Sequence, residues 1–201
     1  MRHMGISSRK SKFATARLGA AAPLDLEGVD RLVRERTVFN AARTHRFTWF
    51  RHWGNPDDFV AGICMNPSGA SESRADPTVA KMRKLAEEVL GAGAYYQLNA
   101  LSIRGTYSNE LGKADRINLP ENDDWIRRIA SKARFVIAAW GNPGEANGRG
   151  DELRDMLREI CDTDRVLCFS INKNGAPAHP LYQSLKKPLV PYFPAFSRLS
   201  S

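Results

Sequence analysis

From His45 onward, apolar runs alternate with short polar breaks, and the period of each run tells strand from helix. HRFTWFRHW (residues 45–53) is aromatic-rich with partial alternation, Gly54-Asn55-Pro56-Asp57-Asp58 is a turn signal, and FVAGICM follows as a continuous apolar run. That pattern predicts a hairpin feeding a buried strand, which ends where the chain empties into Asn66-Pro67-Ser68-Gly69. Asp76-Pro77 supplies an N-cap and a proline for the first helical position, and Val79, Met82, Leu85, Ala86, Val89 and Leu90 then recur at helical spacing as far as Gly91. The alternation continues with a strand at 94–101, a helix at 122–133, a buried strand at 134–140, a helix at 150–161 and a last strand at 165–171. The tail KKPLVPYFPAF has prolines at 188, 191 and 194 and is expected to run extended over the surface. Strands alternating with helices predict an α/β fold whose mainly parallel sheet is covered on both faces.

Composition sets the scale. With 201 residues and 42% apolar content, the chain can build one sizeable core but not comfortably two. A single domain over 25–201 is expected, preceded by a basic arm at 1–24. The arm carries five Lys or Arg and no acid, which leaves 25 basic against 22 acidic residues for the rest of the +8 chain. Such an arm reads as a solvated, disordered segment or as a grip on nucleic acid, and an organelle-targeting peptide shares its composition. On the nucleic-acid reading, Arg9, Lys10, Lys12 and Arg17, with Lys173 in the body, are candidate contacts to a DNA backbone. Cys64, Cys161 and Cys168 are odd in number, lack a paired spacing and lie in apolar stretches, so they read as reduced core thiols of a cytoplasmic protein. No apolar run reaches the roughly eighteen residues of a membrane span, and the start lacks the apolar core of a secretory signal.

The polar residues just beyond each predicted strand are more informative. Asn66 follows the first, Asn99 and Arg104 the second, Asn142 the third, and the stretch from Asn172 to His179 the fourth. In a parallel sheet they converge on the carboxyl rim, where α/β proteins bind ligands. Singly, each is also a common turn former or surface residue. The glycine-rich WGNPGEANGRGDEL lies between a strand and a helix and can hold phosphate at the helix N-terminus, yet it matches no standard phosphate-loop pattern. Asp76, Asp123 and Asp124 fall at predicted helix starts, where capping accounts for them. No HExxH, GxSxG or paired-cysteine signature is present, and no metal or cofactor is expected.

Taken in order, Met65-Asn66-Pro67-Ser68-Gly69, Gln97-Leu98-Asn99-Ala100-Leu101-Ser102-Ile103-Arg104, Phe135-Val136-Ile137-Ala138-Ala139-Trp140-Gly141 and Ala178-His179-Pro180-Leu181 resemble the motif series of the uracil-DNA glycosylase superfamily. The NPS, DPT, WG and HPLY elements are also similar to those of a bacterial and phage family, domain of unknown function 1643, over about residues 45–185. The glycosylase resemblance implies a three-layer α/β/α sandwich with a short, mainly parallel sheet, whose carboxyl edge receives an extruded nucleotide. It implies that Asn66 positions the attacking water, as in the Asn-bearing branches, that Asn99 reads the base edge, and that His179 stabilises the departing base. Met65, Pro67, Ser68, Gly69, Arg104, Trp140, Gly141 and Asn142 become candidate substrate contacts.

The residue types suit that chemistry on their own account. Breaking an N-glycosidic bond puts positive charge on the sugar and negative charge on the base, so a site needs a water holder and an anion stabiliser. Asn66 and His179 offer these, Asn99 offers donor and acceptor together, and Arg104 suits a phosphate or a base edge. The expected function is therefore a DNA glycosylase-like hydrolase of a damaged or modified base, with DNA as partner and no membrane or obligate protein partner. Two alternatives are an enzyme of free modified nucleotides or nucleosides, with the glycine-rich loop on phosphate, and a nucleic-acid-binding module without catalysis.

Overall fold

The computed structural model describes residues 34–68, 76–105 and 118–193. The basic arm, with Arg9, Lys10, Lys12 and Arg17, and also Gly69, lie outside the described residues. Seven strands, β1 (Glu35–Phe39), β2 (Arg46–His52), β3 (Phe59–Cys64), β4 (Ala94–Asn99), β5 (Phe135–Ala139), β6 (Val166–Cys168) and β7 (Val190–Pro191), form one mixed sheet in the order β1-β2-β4-β3-β5-β6-β7. β4, β3, β5 and β6 run parallel, and the remaining pairs are antiparallel. Among the described residues three α-helices, α1 (Pro77–Lys84), α2 (Pro120–Ala130) and α3 (Arg149–Ile160), complete an α/β fold. Among the described residues no helix is long and apolar enough to cross a membrane.

The continuous apolar runs are the parallel strands, as burial on both faces requires. Ala61, Ile63, Val136 and Ala138 pack into a core with α2 and α3, through Trp125, Ile126, Ile129, Leu153 and Leu157. Val60, Cys64, Ile137 and Ala139 point the other way, onto Met82 of α1 and onto Leu85 and Ala86 of the π-helical turn Leu85–Val89 that continues it. Helices thus cover both faces, an arrangement compatible with three layers. Asp76 caps α1, its carboxylate accepting from the Thr78 amide at 2.8 Å, and Pro77 occupies the first turn. Gly91, at φ 61°, turns the chain away. α2 begins at Pro120 on a Leu119 cap with no side-chain bond, so Asp123 and Asp124 do not cap it. Asp123 instead ion-pairs with the buried Arg149.

Two expectations are corrected. β2 forms no hairpin with β3; it pairs with β1 and β4, and β4 lies between it and β3. Side-chain matching explains this, because Phe50 and Trp49 meet Tyr96 and Tyr95, at ring-centroid distances of 4.4 and 6.3 Å, whereas β3 offers Ala61 and Gly62. The tail does not merely cross the surface. Val190–Pro191 joins the sheet as β7, and Tyr192 enters the core edge-on to Trp140.

Candidate functional site

β4 is the spine of the site. Its alternate side chains Ala94, Tyr96 and Leu98 belong to the core under α2 and α3. The opposite phase, Tyr95, Gln97 and Asn99, faces α1 and is polar at every step, yet all three residues are fully buried. Tyr95 donates its hydroxyl to Gln97 Oε1 at 2.6 Å, and Gln97 Nε2 donates to the Leu98 carbonyl. The phenol fits because its neighbour on β3 is Gly62, where a Cβ would lie 2.3 Å from Tyr95 Oη. Burial pushes the Tyr95 phenol well up and the Cys64 thiol up to about 12, so both stay protonated and Cys64 is no nucleophile. At the top of this ladder Asn99 donates a long bond, 3.4 Å, to the Arg46 carbonyl, while its Oδ1 has no hydrogen-bond partner among the described residues. Arg46 Nε, also buried, has none either.

Asp76 is the electrostatic hub. It acts on Arg46, Cys64, Tyr95 and His179, and so brings the start of β2, the end of β3, β4 and the last rim loop to one place. Desolvation lowers the Arg46 guanidinium's hold on its proton, Asp76 offsets this, and the nearby Arg104 adds to it. Arg104 itself donates to the Arg43 carbonyl at 3.0 Å and lies over the Phe39 ring, 5.2 Å from its centroid.

His179 reaches the rim because Gly141 stands where β5 ends. At φ 67° and with a Cβ position 3.1 Å from His179 Cβ, only glycine fits there easily. Lys81 of α1 fixes the next turn, donating to the carbonyls of Pro180, Leu181 and Gln183 at 3.1, 3.1 and 2.8 Å. The imidazole is pushed below its ordinary value by desolvation, an effect that Asp76 opposes and Lys81 reinforces. It is therefore neutral at pH 7. Nδ1 accepts from the Leu181 amide at 3.4 Å, which leaves the ring proton on Nε2 as a donor.

Asn66 lies in a loop tied to the second motif: the Leu101 amide donates to the Met65 carbonyl and the Gly105 amide to the Pro67 carbonyl, at 2.9 and 3.0 Å. Asn66 Nδ2 turns back to the Pro67 carbonyl at 3.2 Å, and Oδ1 bonds to none of the described residues. Met65, Asn66 and Ser68 are half-buried and Pro67 is buried. Other candidates stand apart. Trp140 is a core residue whose indole donates to Glu145, Asn142 accepts from Asn172 at 2.7 Å in the open, and Lys173 is exposed on the turn beyond. The glycine-rich loop does not offer its helix end to phosphate, because Glu145 occupies it. A Cβ at Gly150 would lie 1.8 Å from that carboxylate, which Trp140 and Arg154 also hold. A cavity of about 340 Å³ brackets the far side of the rim, between Leu101, Asp123, Asn147, Arg149 and Glu152. Arg149 is consumed there by the Ala100 carbonyl and both carboxylates.

Sequence reasoning missed Arg46, Lys81, Gln97 and the second role of Asp76. Gln97 and Asn99 share the strand phase of Tyr95, a signal present in the alternation. Asp76 gave none, since capping satisfied it locally. Among the described residues no group of three His, Cys, Asp or Glu is placed to hold a metal.

The family model described as protein of unknown function (DUF1643) matches residues 46–181, and the chain belongs to that family. No curated protein and no solved structure matches it.

Proposed function

We propose that this member of the DUF1643 family is a DNA glycosylase-like hydrolase, related in fold to the uracil-DNA glycosylase sandwich, that cleaves the N-glycosidic bond of a damaged or modified base. One observation carries the reading: the buried Asn99 keeps an acceptor, and the buried Nε of Arg46, whose carbonyl Asn99 binds, keeps a donor, with no partner for either among the described residues. An unsatisfied buried polar atom costs about 1–3 kcal/mol. A ligand edge that presents a donor to Asn99 and an acceptor to Arg46 would recover that cost, and bases carry such edges.

In this mechanism Asn66 Oδ1 accepts from a water that attacks the sugar carbon as the carbon–nitrogen bond breaks. The bonding pair leaves with the base. His179, neutral and protonated on Nε2, keeps its proton and donates a hydrogen bond to the developing anion; the proton that the attacking water sheds passes to solvent, from which the departed base takes one up. Lys81 and Gly141 hold the ring in place. Preorganised donors of this kind act mainly on the transition state. The free-nucleotide alternative loses support, since its phosphate loop is filled by Glu145.

The test is a panel of DNAs bearing uracil, mismatches and hypermodified pyrimidines, incubated with the protein and then cleaved with alkali at abasic sites. Base release from at least one substrate is expected, slowed by about 10²-fold in His179→Ala and in Asn66→Ala. Release at the wild-type rate by a folded double variant would contradict the assigned roles, and no release from any substrate would contradict the activity.

A further inference from the structure

Tyr182 is the most exposed large apolar residue among those described, at 84%, and Leu181 beside it is 45% exposed. Both belong to the short turn Pro180–Tyr182 that follows His179 directly. The turn is not loose. Lys81 binds the carbonyls on either side of Tyr182, so the ring is presented from a fixed backbone. The segment that carries it is basic: from residue 165 onward the given sequence has no Asp or Glu, and Lys173, Lys186 and Lys187 are exposed without an ion pair among the described residues. A solvent-facing ring costs burial that the fold could otherwise have used. A rigid aromatic on a segment whose exposed lysines are unpaired among the described residues has the composition of a surface on which bases stack while cations follow the phosphates.

We propose that Tyr182, with Lys173, Lys186 and Lys187, forms a stacking platform for an unpaired nucleotide of single-stranded nucleic acid, next to the base that enters the His179 rim. The inference rests on the nucleic-acid part of the preceding reading but not on catalysis. One ring face and three cations suit one strand. A duplex would offer the ring no free base face and would call for a broader basic footprint. Preordering by Lys81 lowers the entropy lost on binding.

The experiment is fluorescence anisotropy of the full chain with an unmodified, labelled oligothymidine and with the corresponding duplex, at several salt concentrations. Tyr182→Ala should weaken single-strand binding by about tenfold, and Tyr182→Trp should retain it, because stacking needs only an aromatic face. The Lys186→Ala, Lys187→Ala double variant should flatten the single-strand salt dependence by about 1.4 in log–log slope, two phosphates' worth. Since the ring is exposed, the melting temperature should not move. Unchanged affinity in Tyr182→Ala, an equal loss on duplex, or no single-strand binding by the wild type at low salt would each overturn the platform. Base release without platform binding would leave the glycosylase reading standing, and platform binding without base release would do the reverse.

Discussion

The two faces of β4 differ although both are fully buried. Toward α2 and α3 the strand presents Ala94, Tyr96 and Leu98, and that face joins the larger apolar core. Toward α1 it presents Tyr95, Gln97 and Asn99, with Gly62 and Cys64 from β3 alongside. The first face follows the ordinary rule for a central parallel strand, in which apolar area is removed from water. The second places amides and a phenol where Leu or Val would be more stable, and leaves one Asn99 acceptor unpaired among the described residues. The polar atoms rise step by step toward the carboxyl rim, where Asp76 acts electrostatically on both Arg46 and His179. On the proposed reading, one face secures the fold and the other gives up part of that stability for chemistry.

The largest effect should come from the apolar face. Leu98→Ala removes a fully buried side chain and should cost about 2–5 kcal/mol, read as a lower denaturation midpoint with an unchanged slope. On the polar face the sensitive point is glycine rather than a large residue. Gly62→Ala drives a methyl into Tyr95 Oη and Met82 Cε and should cost about 1–3 kcal/mol. Adding Tyr95→Phe removes the nearer obstacle and should return part of that loss. Exact additivity of the two changes in chemical denaturation would show that the phenol does not set the requirement for glycine.

Much of this contrast was legible in the sequence. The end of the strand at Asn66 and the helix start at Asp76-Pro77 are local signals and appear in place. Strand direction alone placed Asn66, Asn99, Arg104, Asn142 and His179 beyond the carboxyl ends of the strands. Strand neighbours were not legible, because pairing is a contact between distant segments. The aromatic segment at 45–53 therefore looked like a partner for the run beside it, when its rings match Tyr95 and Tyr96. Trp140 looked like a rim residue from its motif, although it keeps the core phase of Val136 and Ala138. Asp76 hid its second role because a cap needs no further explanation.

A smaller effect is expected from pH. Burial lowers the proton affinity of His179 and of His45, whose Nδ1 lies 3.0 Å from Ser102 Oγ. The unfolded chain then binds more protons than the native one just below the ordinary histidine value of about 6.5, so their contribution is complete above that pH and is lost as pH falls through the depressed folded values. His179→Gln should reduce the loss of melting temperature between neutral and mildly acidic buffer, and His45→Gln should do so independently. An unchanged acid dependence in both variants would mean that neither ring is held neutral by the fold.

The smallest stability change belongs to the residue that matters most to the functional account. Asn99→Leu takes an unpaired acceptor out of the interior but also removes a long bond to the Arg46 carbonyl, so the two effects oppose and the net change should be small. The decisive measurement is the single-turnover rate of base release by Asn99→Leu on the substrate that the wild type cleaves, taken where the variant's melting temperature is at least that of the wild type. The account predicts a stable protein that has lost base release. A variant that releases base at the wild-type rate would contradict the claim that the polar face of β4 is kept for chemistry.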